Sequence, residues 1–240
     1  MEQFPGSQHI HQYSLSIRFS SDGFSLWIYD ESNTLLTTKT VTSLLLSLSA
    51  EEIVLLLQED TNALLDIRHV QLIYESDRYA FVPVSIFKEE EAGLFLQLQD
   101  QLEKNNKVLF NPMPKWDMVN VFSMPGALFE ALTELFPGVI PAHHLSWFIN
   151  EKIKLQSDSS IQLWVRPKIM DVVALKGGNI VLINSFVYHT PEDFTYFTLN
   201  IFEQLSFNTE KDKVKLFNVQ TSADLQKHLQ KYLKYCEIAE

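Results

Sequence analysis

The chain has 240 residues, 46% of them apolar and 12% aromatic, and a formal charge of −11. That length accommodates one large domain or two smaller ones with a sizeable core, and no stretch approaches the roughly 20 apolar residues of a membrane span. The acidic balance repels nucleic-acid backbones, and the basic cluster Lys211, Lys213 and Lys215 is diluted by Glu210 and Asp212.

The first twelve residues, MEQFPGSQHIHQ, have neither the basic start nor the apolar core of a secretory signal, so the cytoplasm is the expected compartment. Tyr13, Leu15, Ile17 and Phe19 then alternate with Ser14, Ser16 and Arg18, the period of a strand with one buried face. Asp22 and Gly23 turn the chain, Phe24, Leu26 and Ile28 continue the apolar row, and Leu35 to Val41 forms a third run. The three make a meander. Ser49 and Glu52 form a capping box ahead of a helix bearing Ile53, Leu56 and Leu57. Residues 66–115 read as an inserted subdomain, a hairpin over 68–83 followed by a helix over 84–103. Strand 117–124, helix 125–136, a short strand at 139–142 and a helix from His143 to Leu155 complete the first half.

The meander recurs further on. Ile161, Leu163 and Val165 alternate with Gln162, Trp164 and Arg166; a second run spans Met170 to Lys176, Gly177, Gly178 and Asn179 turn, and a third run spans Ile180 to Val187. Placing Arg18 over Arg166 aligns the two meanders at an offset of 148 residues. Next come a helix with Thr190 as N-cap, Pro191 at N1 and Asp193 at N3, a strand over 214–219, and a closing helix from Ser222 with Leu225, Leu229, Tyr232 and Leu233 on one stripe. On the helix that Thr190 caps, Phe194, Phe197, Ile201 and Leu205 are expected to face the sheet, with Tyr196, Asn200 and Glu203 pointing away. The order in each half is βββαβα, which predicts an α/β chain of two ribonuclease H-like halves, 1–158 and 159–240, with the insertion in the first. Such a duplication is the layout of the actin-like ATPase superfamily.

The segment NSFVYHTPEDFTYFTLNIFEQL (184–205) resembles the signature of an uncharacterised domain family of Bacteroidota. Its Asn-x-Phe strand end is Asn184 and Phe186; its Thr-x-x-Asp-Phe helix start is Thr190, Asp193 and Phe194; its Glu-Gln-Leu end is Glu203, Gln204 and Leu205. The resemblance covers nearly the whole chain and implies an actin-like ATPase fold. It implies no activity.

In active actin-like ATPases the first turn carries Asp-x-Gly-Ser/Thr, whose acid orients the metal and whose glycine lets backbone N–H groups reach phosphate. The matching positions here hold Arg18, Phe19, Ser20 and Ser21, and the second half has Arg166 and Pro167 where an acid and glycines belong. A proline also removes a donor. Seven glycines in 240 is about 3%, against roughly 7% in average usage, so the chain has little with which to wrap a phosphate. The first strand has no carboxylate to share two metal ions as nuclease chemistry requires. His9, His11, His143 and His144 are poor metal candidates, since adjacent histidines on a helix diverge by about 100°. Cys236 is a lone thiol, and Asp193 reads as a cap rather than a base. No catalytic residue, metal or cofactor is assigned.

Two readings follow. The first is a non-catalytic actin-like domain acting as a cytoplasmic binding or scaffold protein, its partner another protein. The second is a divergent nucleotide- or anion-binding enzyme that uses the cleft between the halves, holding an anion through Arg18, Ser20, Ser21, Arg166 and Lys168. A guanidinium suits an anion because it is permanently charged and bidentate, but each arginine could instead pair with a local carboxylate such as Asp22 or Asp171.

Overall fold

A computed structural model of the chain describes residues 13–42, 49–61, 67–98, 104–154, 158–218 and 223–239. The expected histidines at 9 and 11, the ends of the helices proposed for 84–103 and from Ser222, and Val219 lie outside those residues. The structure divides into two units, one comprising residues 1–112 and 118–146 and the other 113–117 and 147–240.

In the first unit, β1 (Tyr13–Ser20), β2 (Gly23–Tyr29) and β3 (Leu35–Thr42) form the antiparallel meander that the alternation predicts. Leu15, Ile17 and Phe19 are buried, as are Phe24, Leu26 and Ile28 opposite them. After α1 (Ala50–Thr61), started by the reciprocal Ser49–Glu52 capping box, the chain crosses back to lay β4 (Ile67–Tyr74) parallel to β1. A two-residue strand, β8 (Ala142–His143), extends the sheet beyond β4, giving the order β3-β2-β1-β4-β8.

This pairing moves the insertion. Residues 67–74 are not half of an inserted hairpin but the fourth strand of the main sheet, and 118–125 is not that strand. The inserted element is a separate three-stranded sheet, β5 (Tyr79–Pro83), β6 (Asn106–Met113) and β7 (Met118–Pro125), ordered β5-β7-β6. Two 3-10 turns at 84–86 and 89–91 and the short helix α2 (Ala92–Gln97) stand where one long helix was expected. The α2 residues Ala92 and Leu96 pack on Val82, Val119 and Val121 as a satellite core. From β7 the chain enters α3 (Gly126–Leu135), whose Leu128 and Leu132 are buried and which packs against α1. A side chain at Gly126 would meet the Asn105 carbonyl at 2.6 Å, so only glycine lets the helix start so close to that loop. Helix α4 (His144–Lys152) follows β8 directly.

The second sheet repeats the first in the order β11-β10-β9-β12-β13. Here β9 (Ser160–Arg166), β10 (Ile169–Lys176) and β11 (Asn179–Val187) are the meander, and Gly177 and Gly178, both at positive φ, supply the two-residue turn between β10 and β11. After α5 (Pro191–Gln204), β12 (Lys213–Phe217) lies parallel to β9, and after α6 (Ala223–Leu229), β13 (Cys236–Ile238) lies parallel to β12. The final strand has only three residues, too few to show a period. The hairpin-closing pairs, Ser20 with Gly23 and Arg166 with Ile169, align the two meanders at an offset of 146 residues rather than 148. Arg18 and Arg166 are therefore on the same face but two positions apart in their strands.

Helix α5 carries the capping box expected of Thr190 and Asp193. Its buried residues are Phe194, Thr195, Thr198, Ile201 and Phe202, a face centred one position away from the stripe read off the sequence. Phe197 and Leu205 pack at its margin, half-buried, with Phe197 stacked on Phe186 at 5.1 Å; Tyr196 and Glu203 point outward as expected, and Asn200 is half-buried. On α6 and beyond, Leu225, Leu229 and Leu233 are buried, whereas Tyr232 is 56% exposed because the helix has ended before it.

Two outcomes follow from this packing. Phe194→Ala is expected to cost about 3–5 kcal/mol and Phe197→Ala about 1–2 kcal/mol in urea denaturation; equal costs would contradict the shifted stripe. Burial, reinforced by the neighbouring Glu237 charge, pushes the Cys236 thiol up to about 12. An aromatic disulfide reagent at pH 8 should leave Cys236 unmodified in the folded chain and label it once urea unfolds the protein.

Candidate functional site

The turn between β1 and β2 consists of Ser21 and Asp22, and the Asp22 carboxylate is engaged within it. Ser20 Oγ donates to Asp22 Oδ1 at 2.6 Å, with the Gly23 carbonyl 3.2 Å away. Ser21 is exposed. Arg18 points sideways along the sheet to Glu75, just past the end of β4, and both its Nε and Nη2 donate to Glu75 Oε1. The carboxylate partner of Arg18 is thus Glu75, 57 residues away, and not Asp22. Parallel pairing makes this contact: the β1/β4 ladder continues from Phe19 opposite Tyr74 to the Glu75 N–H, which donates to the Phe19 carbonyl at 2.8 Å.

The corresponding turn of the second unit is Pro167 and Lys168, with Lys168 exposed at φ 64°. Arg166 makes a fork to Asp171, Nε to Oδ2 at 2.7 Å and Nη2 to Oδ1 at 2.8 Å, with side chains 7% and 0% exposed. This is the local pairing that the sequence allowed for Arg166. Ser185 Oγ donates to Asp171 Oδ1 at 2.6 Å, so the cluster links β9, β10 and β11. Tyr188 fastens the turn from the other end: its N–H donates to the Lys168 carbonyl (2.9 Å) and its hydroxyl to the Arg166 carbonyl (3.0 Å). Burial pushes the Tyr188 phenol up, beyond what a backbone hydrogen bond from Lys168 restores. Asn218, at φ 64°, donates to the Val165 carbonyl at 2.8 Å.

A third polar cluster surrounds His143, a residue that the sequence marks only as half of a poor metal pair with His144. His143 is fully buried at the end of β8. Its Nδ1 accepts from Asn120 Nδ2 (2.9 Å) and from the Leu145 N–H (3.3 Å), which places the ring proton on Nε2, 3.0 Å from the Ser76 carbonyl. Asn120 Nδ2 also donates to Ser146 Oγ, and Asn111 Oδ1 accepts from the His143 N–H. Rings of Tyr79, Phe122 and His144 surround it at 5.0, 5.2 and 4.4 Å. Both ring nitrogens serve the protein, joining the loop after β4, the inserted sheet and the start of α4. A histidine so engaged is a structural hub. The polar residues at 111, 120 and 146 gave no sequence signal because they converge only after the inserted sheet is in place.

The structure therefore brings Arg18, Ser20 and Ser21 to one turn and Arg166 and Lys168 to another, pairs Arg166 with Asp171, and adds Glu75, Ser185 and Tyr188. Asp171→Asn leaves a buried guanidinium without its counter-charge and is expected to cost about 3–5 kcal/mol. Arg166→Met combined with Asp171→Leu should recover most of that loss, since two apolar groups replace a matched pair. Chemical denaturation of the three proteins checks both; a double variant as unstable as the single one would show that the loss is not one of unmatched charge.

Comparison with known proteins places this geometry. No curated protein matches the chain. A protein from Bacteroides thetaiotaomicron VPI-5482, described as having an actin-like ATPase fold and unknown function, is 28% identical over 95% of this chain and 91% of its own, with a TM-score of 0.78. A chain of the PilM-PilN type IV pilus biogenesis complex shares the fold at 14% identity and a TM-score of 0.56, over 95% of this chain and 88% of its own. The two sheets are thus ribonuclease H-like halves of an actin-like ATPase fold. Over residues 6–236 the chain matches the family described as protein of unknown function DUF3822, and it belongs to that family.

Proposed function

We propose that this chain is a catalytically silent actin-like domain that works by binding another protein. The observation that carries the reading is the closure of both hairpin turns by an arginine paired within its own sheet. Where an active relative presents an acid to a metal, this chain presents Arg18 to Glu75 and Arg166 to Asp171. Where a relative has glycines that expose N–H groups, this chain has Ser20 and Ser21 in one turn and Pro167 in the other. The Arg166 guanidinium is forked onto a carboxylate in a dry setting and its charge is already compensated there, so turning that fork to an incoming phosphate means breaking a buried pair. Among the described residues no helix is long and apolar enough to cross a membrane, and no three His, Cys, Asp or Glu side chains are grouped to hold a metal ion. The PilM-PilN complex is a precedent for this fold in contact with a second protein.

Phosphate release from Mg-ATP should stay at the buffer level, and ATP, ADP and inorganic phosphate should leave the melting temperature unchanged. A ligand at 100 times its dissociation constant adds about 2.7 kcal/mol, enough to be seen in a thermal-shift screen. Steady hydrolysis would overturn the proposal. A shift with phosphate that disappears in Lys168→Ala would restore the anion-binding reading in its place.

A further inference from the structure

An open cavity of about 610 Å³ lies between α1 and α3 in the first unit. Its floor and walls are apolar: Val54 and Leu55 from α1, and Ala127, Ala131 and Leu135 from α3. Its rim is acidic, with Glu51 on one side and Glu130 and Glu134 on the other, and among the described residues no cationic side chain lines it.

Three features set this groove apart from an ordinary seam between helices. The first is the pattern of α1, where Ile53 to Leu57 are five consecutive apolar residues. Ile53 is buried, but Leu55, which helical geometry places about 200° around the axis, is 59% exposed in the groove. A helix apolar on opposite sides is built to be covered on both. The second is the pattern of α3. Ala127, Glu130, Ala131, Glu134 and Leu135 fall on one face of the helix, separate from the buried Leu128 and Leu132. The alanines leave room beside α1 where larger side chains would close the seam. The third is charge. Glu130 and Glu134 stand four residues apart, where like charges repel, and Glu51 faces the same opening. An apolar floor between carboxylate walls matches an apolar stripe flanked by lysine or arginine.

We propose that the groove between α1 and α3 is the docking site for a basic amphipathic helix of a partner protein, its apolar face on Leu55 and Leu135 and its cations on Glu51, Glu130 and Glu134. The proposal rests on the protein-binding reading above and gives that reading a surface. A second copy of this chain is a poor occupant. Each copy carries a charge of −11, and three of the lysines near its C-terminus already face acids, Lys227 with Asp224, Lys234 with Glu210 and Lys215 with Glu237.

The test uses the full chain and a fluorescent 14-residue peptide of leucine and lysine in an amphipathic helical pattern, with a peptide of the same pattern carrying glutamate for lysine as its control. Fluorescence anisotropy should give saturable binding of the lysine peptide only. Binding should weaken at least tenfold in Glu130→Lys/Glu134→Lys and in Leu55→Asp, while Glu192→Lys/Glu203→Lys on α5, with the same change in net charge, should retain it. Circular dichroism checks that each variant is folded; these side chains are largely exposed, and if one variant fails to fold the other carries the test. No binding, or equal loss in the α5 variant, would overturn the proposal, as would a dimer of the free chain in sedimentation that Leu55→Asp abolishes, for then the occupant is a second copy. Mg-ATP hydrolysis measured on the same preparation separates the two readings: hydrolysis with peptide binding intact sinks the silent-domain proposal and spares the groove, and the converse result does the reverse.

Discussion

The parallel pairing of the first strand of each half with the strand that follows its crossover helix, β1 with β4 and β9 with β12, sets most of how the molecule is built. Side-by-side parallel strands need a long connection, which is why α1 and α5 exist. The pairing also fixes what arrives at the carboxyl ends of the central strands. In the first unit it delivers Glu75 to Arg18 and holds the loop that follows where His143 can take the Ser76 carbonyl. In the second it brings Asn218 to the Val165 carbonyl beside the Arg166 turn. Ligands of open α/β sheets gather at those ends, and here they are occupied by the protein's own side chains.

The two arginine pairs are not equal. Arg18 and Glu75 keep some contact with water, so the charge on each is partly solvated and their attraction is screened. Arg166 and Asp171 are dry, and their fork is completed by Ser185. A dry pair of this kind adds little net stability over a matched apolar pair, because desolvating both ions offsets their attraction. Its effect is on geometry. A carboxylate with no exposure accepts only from groups that reach it in one register, so the pair specifies how β9, β10 and β11 align and holds the Pro167 turn in place.

Local pattern made much of this legible. Alternation over Tyr13–Phe19 and Ile161–Val165, the capping boxes at Ser49 and Thr190 and the glycine pair at 177–178 each mark structure through neighbours a few residues apart, and the structure has the strands, caps and turn, although Ser160–Arg166 is buried on both faces rather than on one. Pairing between distant strands is not written that way. Residues 67–74 and 79–83, separated by a short polar stretch, have the look of a hairpin, and only the contact of Val70 with Leu15 and Leu72 with Ile17 shows that the first run belongs to another sheet. The same limit hid Glu75 from Arg18 and Asn120 from His143. Asp171 was within reach of the reading because it stands five residues from Arg166 in a hairpin. The shift in the α5 stripe has a different origin: Thr195 and Thr198 are buried because their hydroxyls donate back to the carbonyls of Pro191 and Phe194, so residues that count as polar in the sequence behave as core.

A fold whose strand ends are tied shut can still evolve binding, but from different parts. Arg166 and Asp171 are embedded in strand register, and a change at either disturbs three strands at once. Leu55, Glu130 and Glu134 sit on the outer sides of helices whose inner sides, Ile53 on one and Leu128 and Leu132 on the other, already fix the packing. Replacing an outer residue changes what the groove attracts and leaves the sheet untouched, since surface substitutions away from caps and buried pairs alter stability by only about 0.5 kcal/mol. The relative from Bacteroides thetaiotaomicron keeps the architecture over nearly the full chain with 28% of the residues in common, so most positions can be exchanged without losing these sheets. Phosphate chemistry at a turn requires backbone N–H groups and a metal-binding acid to be placed together, and this chain has Pro167 and paired arginines at those turns. Recognition by a helical groove asks only for the right side chains on surfaces that the core does not need, so the docking proposed for α1 and α3 makes no demand on the turns.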